Sequence, residues 1–189
     1  SWACFCAEAQ NSRADTALDS ALRLLFDRER KIIKLFDPPF CGGGRDPGYI
    51  RSYGAGFREN GGQYTHAALW LAMACLRRGR ADDAWEILCA LLPENHDLRE
   101  YLAEPFVLAA DVCTAAGHEG EAGWTWYTGS AGLLERAGLE ALLGFEKEGA
   151  RIRLRPTTPA DWDGFTMEYR FGTSRYVLRA ARGGGDDGW

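Results

Sequence analysis

The stretch from Thr65 to Pro93, THAALWLAMACLRRGRADDAWEILCALLP, decides the fold class. Apolar residues recur at helical spacing on both sides of Gly79, which predicts two helices, over about 65–78 and 81–92, with Pro93 closing the second. So short a connection makes them an antiparallel pair. Upstream, Ala14, Leu18, Ala21, Leu22, Leu25 and Phe26 repeat every three or four residues, predicting an amphipathic helix from Ala14 to about Arg30 capped by Ser12. Downstream, one helix is predicted from about Pro105 to Ala116, where proline in the first turn forfeits no hydrogen bond and Gly117 ends the run. Another is predicted from about Gly129 to Leu143, stopped by Gly144. The period then falls to 2. Ile152 and Leu154 alternate with Arg151, Arg153 and Arg155, then Phe165, Met167, Tyr169 and Phe171 alternate with polar partners, and Tyr176, Leu178 and Ala180 repeat the pattern. The fold class is mainly α, helical hairpins followed by about three strands in a small antiparallel β unit. The divisions fall at 1–145, 146–182 and a flexible glycine-rich tail, 183–189.

The 189 residues are 46% hydrophobic, enough to bury a core. No apolar run approaches the roughly 18 residues that a membrane helix requires, and no signal-peptide pattern opens the chain. A net charge of −5 without a basic block disfavours nucleic acid as a partner. The six cysteines lack CxxC pairs and zinc-ligand spacing, so no metal site is expected. They read as free, mainly buried thiols of a reducing, cytoplasmic compartment. Ser1 opens the chain without a methionine, and Trp2, Cys4 and Phe5 abut it as if a helix were cut, so a piece of a longer protein is expected.

The chemistry concentrates in two segments. The first, Tyr53-Gly54-Ala55-Gly56-Phe57-Arg58-Glu59-Asn60-Gly61-Gly62-Gln63-Tyr64-Thr65-His66, ends a long Pro- and Gly-rich loop from Asp37 to Gly62, a length that favours a functional loop. Arg58, Glu59, Asn60 and Gln63 bring the paired donors and acceptors suited to sugar hydroxyls, although a solvated turn would have the same composition. His66 falls at the start of the next helix and can point back to the loop. The second segment, Gly123-Trp124-Thr125-Trp126-Tyr127-Thr128-Gly129-Ser130-Ala131, ends in Thr-Gly-Ser where a helix begins. A helix start is an anion site, and the Thr128 hydroxyl with the Gly129 and Ser130 amides could hold a phosphate; a plain N-cap is the alternative. Of the seven tryptophans, Trp70 and Trp85 lie on helix stripes and are expected in the core.

These residues, with Glu104-Pro105-Phe106-Val107 between them, resemble glycoside hydrolase family 94, the inverting β-glycoside phosphorylases, over about Ala14 to Ala180. That family includes cellobiose, cellodextrin and chitobiose phosphorylases, 1,2-β-oligoglucan phosphorylase and the C-terminal region of cyclic β-1,2-glucan synthase. The resemblance implies that this chain holds the closing helical hairpins of an (α/α)6 barrel with a β domain behind it, and that the intact enzyme is a homodimer. It implies a reaction in which inorganic phosphate, a co-substrate rather than a cofactor, attacks the anomeric carbon of a β-linked gluco-oligosaccharide with inversion. By resemblance His66, Thr128 and Gly129 match the phosphate-contacting positions, and Tyr53, Arg58 and Glu59 match or neighbour those lining the sugar-acceptor subsite; Gln63 is counted with the sugar-binding residues on its side chain alone. The family's general acid is an aspartate upstream of this region; no motif here corresponds to it, and Asp15, Asp19 and Asp111 are not assigned the role. Ala55 stands where a proline is expected in relatives. The wording from Arg58 to His66 is closer to the β-1,2-glucan members than to the cellobiose enzymes. Two other readings fit the same residues: an inverting hydrolase with Glu59 activating water, and a noncatalytic carbohydrate-binding helical module.

Overall fold

The computed structural model describes residues 1–5, 12–44 and 46–183; Cys6 and all but Gly183 of the glycine-rich tail lie outside them. The helical pair forms as the pattern dictates. Helix α2, Thr65–Arg77, and helix α3, Ala81–Leu91, turn at Gly79 and pack antiparallel. Helix α2 is buried almost all round, through Ala68, Leu69, Leu71, Ala72, Ala74, Cys75 and Leu76, so it is the central helix of the core. Against it pack Ile87 and Leu91 of α3, Leu18 and Leu22 of helix α1 (Ser12–Leu25), and Leu142. Each such side chain contributes about 1.5–3 kcal/mol on burial. Asp15 takes a two-pronged bond from Arg78, at 2.9 and 2.7 Å, and Arg80 reaches Asp19 at 2.7 Å. Those two aspartates thus clip α1 to the α2–α3 turn.

Helix α1 ends at Leu25, not Arg30, and Ser12 is its first residue rather than a cap preceding it. Phe26–Asp27 (β1) doubles back on Ile32–Ile33 (β2) as a small hairpin, because Ile32 and Ile33 are both buried and pull the chain back to the core. The helix predicted over 105–116 is absent. The α-helix nearest before it is the single turn α4, Leu98–Tyr101. Val107, Leu108, Ala109, Ala110 and Val112 are buried together, and a continuous apolar run fits a strand as well as a helix. Here the backbone extends, and Asp111–Val112 (β4) becomes the middle strand between Gln63–Tyr64 (β3) and Ala122–Gly123 (β5), antiparallel to both.

Helix α5, Thr128–Arg136, continues into a π-helical turn, Ala137–Leu142, before Gly144 stops it. The β unit has four strands in two hairpins rather than three in one sheet. Phe145–Glu148 (β6) pairs with Arg151–Leu154 (β7), and Gly164–Phe171 (β8) pairs with Ser174–Ala181 (β9). Phe145 meets Tyr169 across the hairpins, ring centroids 5.2 Å apart, and Trp162 packs on Trp85. No helix of the described residues is long and apolar enough to cross a membrane. The described cysteines are free; Cys4, Cys75 and Cys113 are buried, but Cys89 is only partly so and Cys41 is exposed.

Candidate functional site

The three-stranded sheet of β3, β4 and β5 brings the two chemical segments together. Tyr64 pairs with Asp111, and Asp111 with Gly123. The Thr65 amide donates to the Ala110 carbonyl at 2.9 Å and the Ala110 amide to the Trp124 carbonyl at 3.1 Å. The start of α2 and the approach to α5 therefore leave the two outer strands, β3 and β5, on either side of β4.

Between them lies a cavity of about 300 Å³ lined by Tyr64, His66, Ala110, Trp126, Tyr127, Thr128, Gly129 and Ser130. A methyl group on Gly129 would sit 3.8 Å from His66 Nδ1. Both helices open here without an acidic residue in the first turn and without a side-chain cap. Thr128 is the first helical residue of α5, the cap position being Tyr127, so Thr128 does not serve as a plain N-cap. Unspent amides and two positive helix ends favour an anion in this position. Ser130, 4% exposed, has its hydroxyl buried with no hydrogen-bond partner among the described residues. Trp70 is half-buried rather than core; it meets the His66 ring edge-on at 5.0 Å and is backed by Trp2.

Beside the cavity stands a second group. The Arg58 guanidinium lies 4.5 Å from the Trp124 ring centroid and 5.6 Å from that of Tyr53. It approaches Glu59 and Asp111 at 3.6 Å each, ion pairs too long for hydrogen bonds. Burial pushes the Asp111 carboxyl above the usual range; Arg58 opposes that shift and Glu59 adds to it. Of the five non-glycine residues with positive φ among those described, three, Arg58, Trp124 and Trp126, belong to this region. Such backbone strain persists where the surroundings over-determine it, commonly at functional sites. Trp126 is 67% exposed and donates its indole N–H to Glu104 at 2.9 Å, which lowers the Glu104 pKa.

Two residues expected to face sugar are taken up by the fold. Gln63 is 2% exposed, and its oxygen accepts from the Ile33 amide at 2.8 Å. Asn60, fully buried, accepts from the Phe40 amide and donates to the Phe40 and Tyr53 carbonyls. Both replace backbone bonds that an irregular loop would leave unmade. Asp111 and the Ser130 hydroxyl were missed as site residues, the first because its segment read as a helix. A strand reading would have set Asp111 opposite its apolar neighbours Ala110 and Val112. A larger cavity, about 350 Å³, lies between Arg30, His96 and Glu119, away from both groups. Among the described residues no cluster of three or more His, Cys, Asp or Glu is placed to hold a metal ion.

Comparison with known proteins meets the same segments. The chain is 41% identical over 187 residues to a cyclic beta-(1,2)-glucan synthase of Rhizobium meliloti, covering 96% of this chain and 7% of that protein. It is 28% identical to a 3-O-beta-D-glucopyranosyl-beta-D-glucuronide phosphorylase of Paenibacillus borealis, over 77% of this chain and 19% of the relative. Identity is again 28% to an N,N'-diacetylchitobiose phosphorylase of Vibrio proteolyticus, over 90% of this chain and 22% of the relative. This chain thus spans less than a quarter of each of these three proteins. Residues 1–144 match the profile of the glycosyl hydrolase 94 superfamily, catalytic domain, a stretch that takes in both the cavity and the Arg58 group. By that match, and by its likeness to a glucan synthase along nearly its whole length, this chain belongs to the glycosyl hydrolase 94 superfamily.

Proposed function

We propose that the chain supplies the phosphate-holding and acceptor-holding part of an inverting phosphorolytic site in a longer protein. One observation carries the reading: two uncapped helix starts, His66 and an unpartnered Ser130 hydroxyl converge on one cavity beside the Arg58 group. Phosphate would sit against the amides of Gly129 and Ser130, with donors from Thr128 and His66. It attacks the anomeric carbon, so the nucleophile is already an anion and no general base is required. An aspartate outside this chain protonates the leaving oxygen. Tyr53, Arg58 and Glu59 hold the hydroxyls of the sugar that leaves, which is the acceptor in the synthetic direction. Residues up to about 145 would close an (α/α)6 barrel whose other hairpins come from the rest of the protein, working as a homodimer. The 41% identity to a protein named for β-(1,2)-glucan favours that linkage in the substrate.

Incubating the full-length protein with β-1,2-glucan and inorganic phosphate should release sugar 1-phosphate. Free sugar alone, at a rate indifferent to phosphate, would establish the hydrolase instead, and sugar binding without turnover a noncatalytic module. The chain from Ser1 to Trp189 on its own should give no sugar 1-phosphate, because the proton donor lies elsewhere; robust turnover by it would overturn that assignment. Glu59→Gln in the full-length protein should raise the acceptor KM in synthesis by roughly tenfold, the effect of weakening a charge-assisted hydrogen bond, while sparing the phosphate KM. An acceptor KM that does not move would remove Glu59 from the sugar site.

A further inference from the structure

We infer that Asp111 is a positioning residue: from β4 it draws the Arg58 guanidinium off Glu59, keeping the Glu59 carboxylate open to the acceptor sugar. The inference rests on the acceptor reading of Arg58 and Glu59 given above. One cation stands between two carboxylates, and neither pair closes to a hydrogen bond, both contacts being 3.6 Å. Arg58 Nε and Nη1, Glu59 Oε2 and Asp111 Oδ1 are all buried without a hydrogen-bond partner among the described residues. A guanidinium facing a single carboxylate closes into a two-pronged bond, as Arg78 does on Asp15 in this molecule. Facing two, and resting on the Trp124 ring, Arg58 is shared between them. Glu59 Oε2 is the oxygen turned to Arg58, and the other carboxylate oxygen then stays free to accept from a sugar hydroxyl.

Asp111 is built in for this purpose. Its strand is bonded on both sides, and its carboxylate lies flat against Gly123, where a methyl group would come 2.7 Å from Oδ2 and 3.1 Å from Cγ. Burial disfavours the charged carboxylate and Glu59 adds to that, while Arg58 opposes it in part and is the one cation that holds the charge there. Neutralising Asp111 would therefore release Arg58 to close on Glu59.

In the full-length protein, Asp111→Asn should raise the acceptor KM in synthesis by roughly tenfold and leave the phosphate KM in phosphorolysis within about twofold. Acting through Glu59, it should add nothing in the double variant: Asp111→Asn with Glu59→Gln should match Glu59→Gln alone. Asp111→Ser removes the same charge and carries the test if Asp111→Asn does not fold. An acceptor KM untouched by Asp111→Asn or Asp111→Ser, with Glu59→Gln still raising it, would overturn the inference. So would losses that are additive in the double variant, or that fall equally on phosphate, since those mark a structural aspartate. An acceptor KM unmoved by Glu59→Gln itself would remove the acceptor reading, and this inference with it.

Discussion

Replacing His66 with alanine in the full-length protein should weaken its use of inorganic phosphate by roughly ten- to hundredfold, the loss expected for about 1.5–3 kcal/mol from a hydrogen bond to a charged group. Phosphate carries between one and two negative charges near neutral pH, and this chain, at net −5, repels it overall. Binding therefore depends on local donors. The α2 and α5 helix ends remain in the alanine variant, as do the Gly129 and Ser130 amides, so binding is weakened rather than abolished. Thr128→Val keeps the shape and deletes one neutral hydroxyl, and should do less. Trp70 leans edge-on against the His66 ring, so the control is a thermal melt showing that the variant is folded. A His66→Ala protein that is folded and keeps its phosphate KM and turnover would refute a shared phosphate pocket.

Gly56→Ala should destabilise the same protein by roughly 3 kcal/mol, through a left-handed backbone and an overpacked contact acting together. Gly56 has φ +86, and a methyl group there would come within 2.6 Å of Ala115 Cα and 2.8 Å of the Thr114 carbonyl carbon. Backbone cannot swing aside as a side chain does. The position is also pinned on every side: its amide donates to the Asn60 carbonyl, and its own carbonyl accepts from the Thr114 amide and the Cys113 thiol. Any shift would be passed to Arg58 and Glu59, two and three residues on. Chemical denaturation should show an earlier transition, and limited proteolysis a new cut between Tyr53 and Gly62. An unchanged midpoint with no new cut would show that the loop yields freely.

The α2–α3 pair and the strands β7, β8 and β9 could be read directly because their patterns repeat long enough to leave one period standing. Phe145–Glu148 was missed because Phe-Glu-Lys-Glu is largely exposed and carries a single apolar residue to mark its phase. The stretch from Val107 to Val112 was misread because burial on both faces erases periodicity, and its one strand, β4, is two residues long. Around the candidate site, His66 and the turn at Thr128 were recognisable because each sits at a helix start, where unspent amides give a local signal. Asp111 had no such signal, since its partner Arg58 lies far away in the chain and only the β3–β4 register brings them together. Asn60 and Gln63 share the glycine-rich loop with Arg58 and Glu59, and composition cannot tell which polar side chains turn inward.

Asn60 ties Phe40 and Tyr53 to itself with a single amide, so the chain between them leaves and returns through one fixed gate. Gly42, Gly43 and Gly44, inside that gate, have open space where a side chain would begin. Lengthening such a loop costs little, about 0.6 kcal/mol for each doubling, because the entropy of closing it grows only with the logarithm of its length. Insertions placed at Gly42–Gly44 are expected to alter what reaches Tyr53 without disturbing the helices. If Tyr53 meets the acceptor sugar as proposed, retargeting is best begun between Cys41 and Ser52, with Asn60 left untouched.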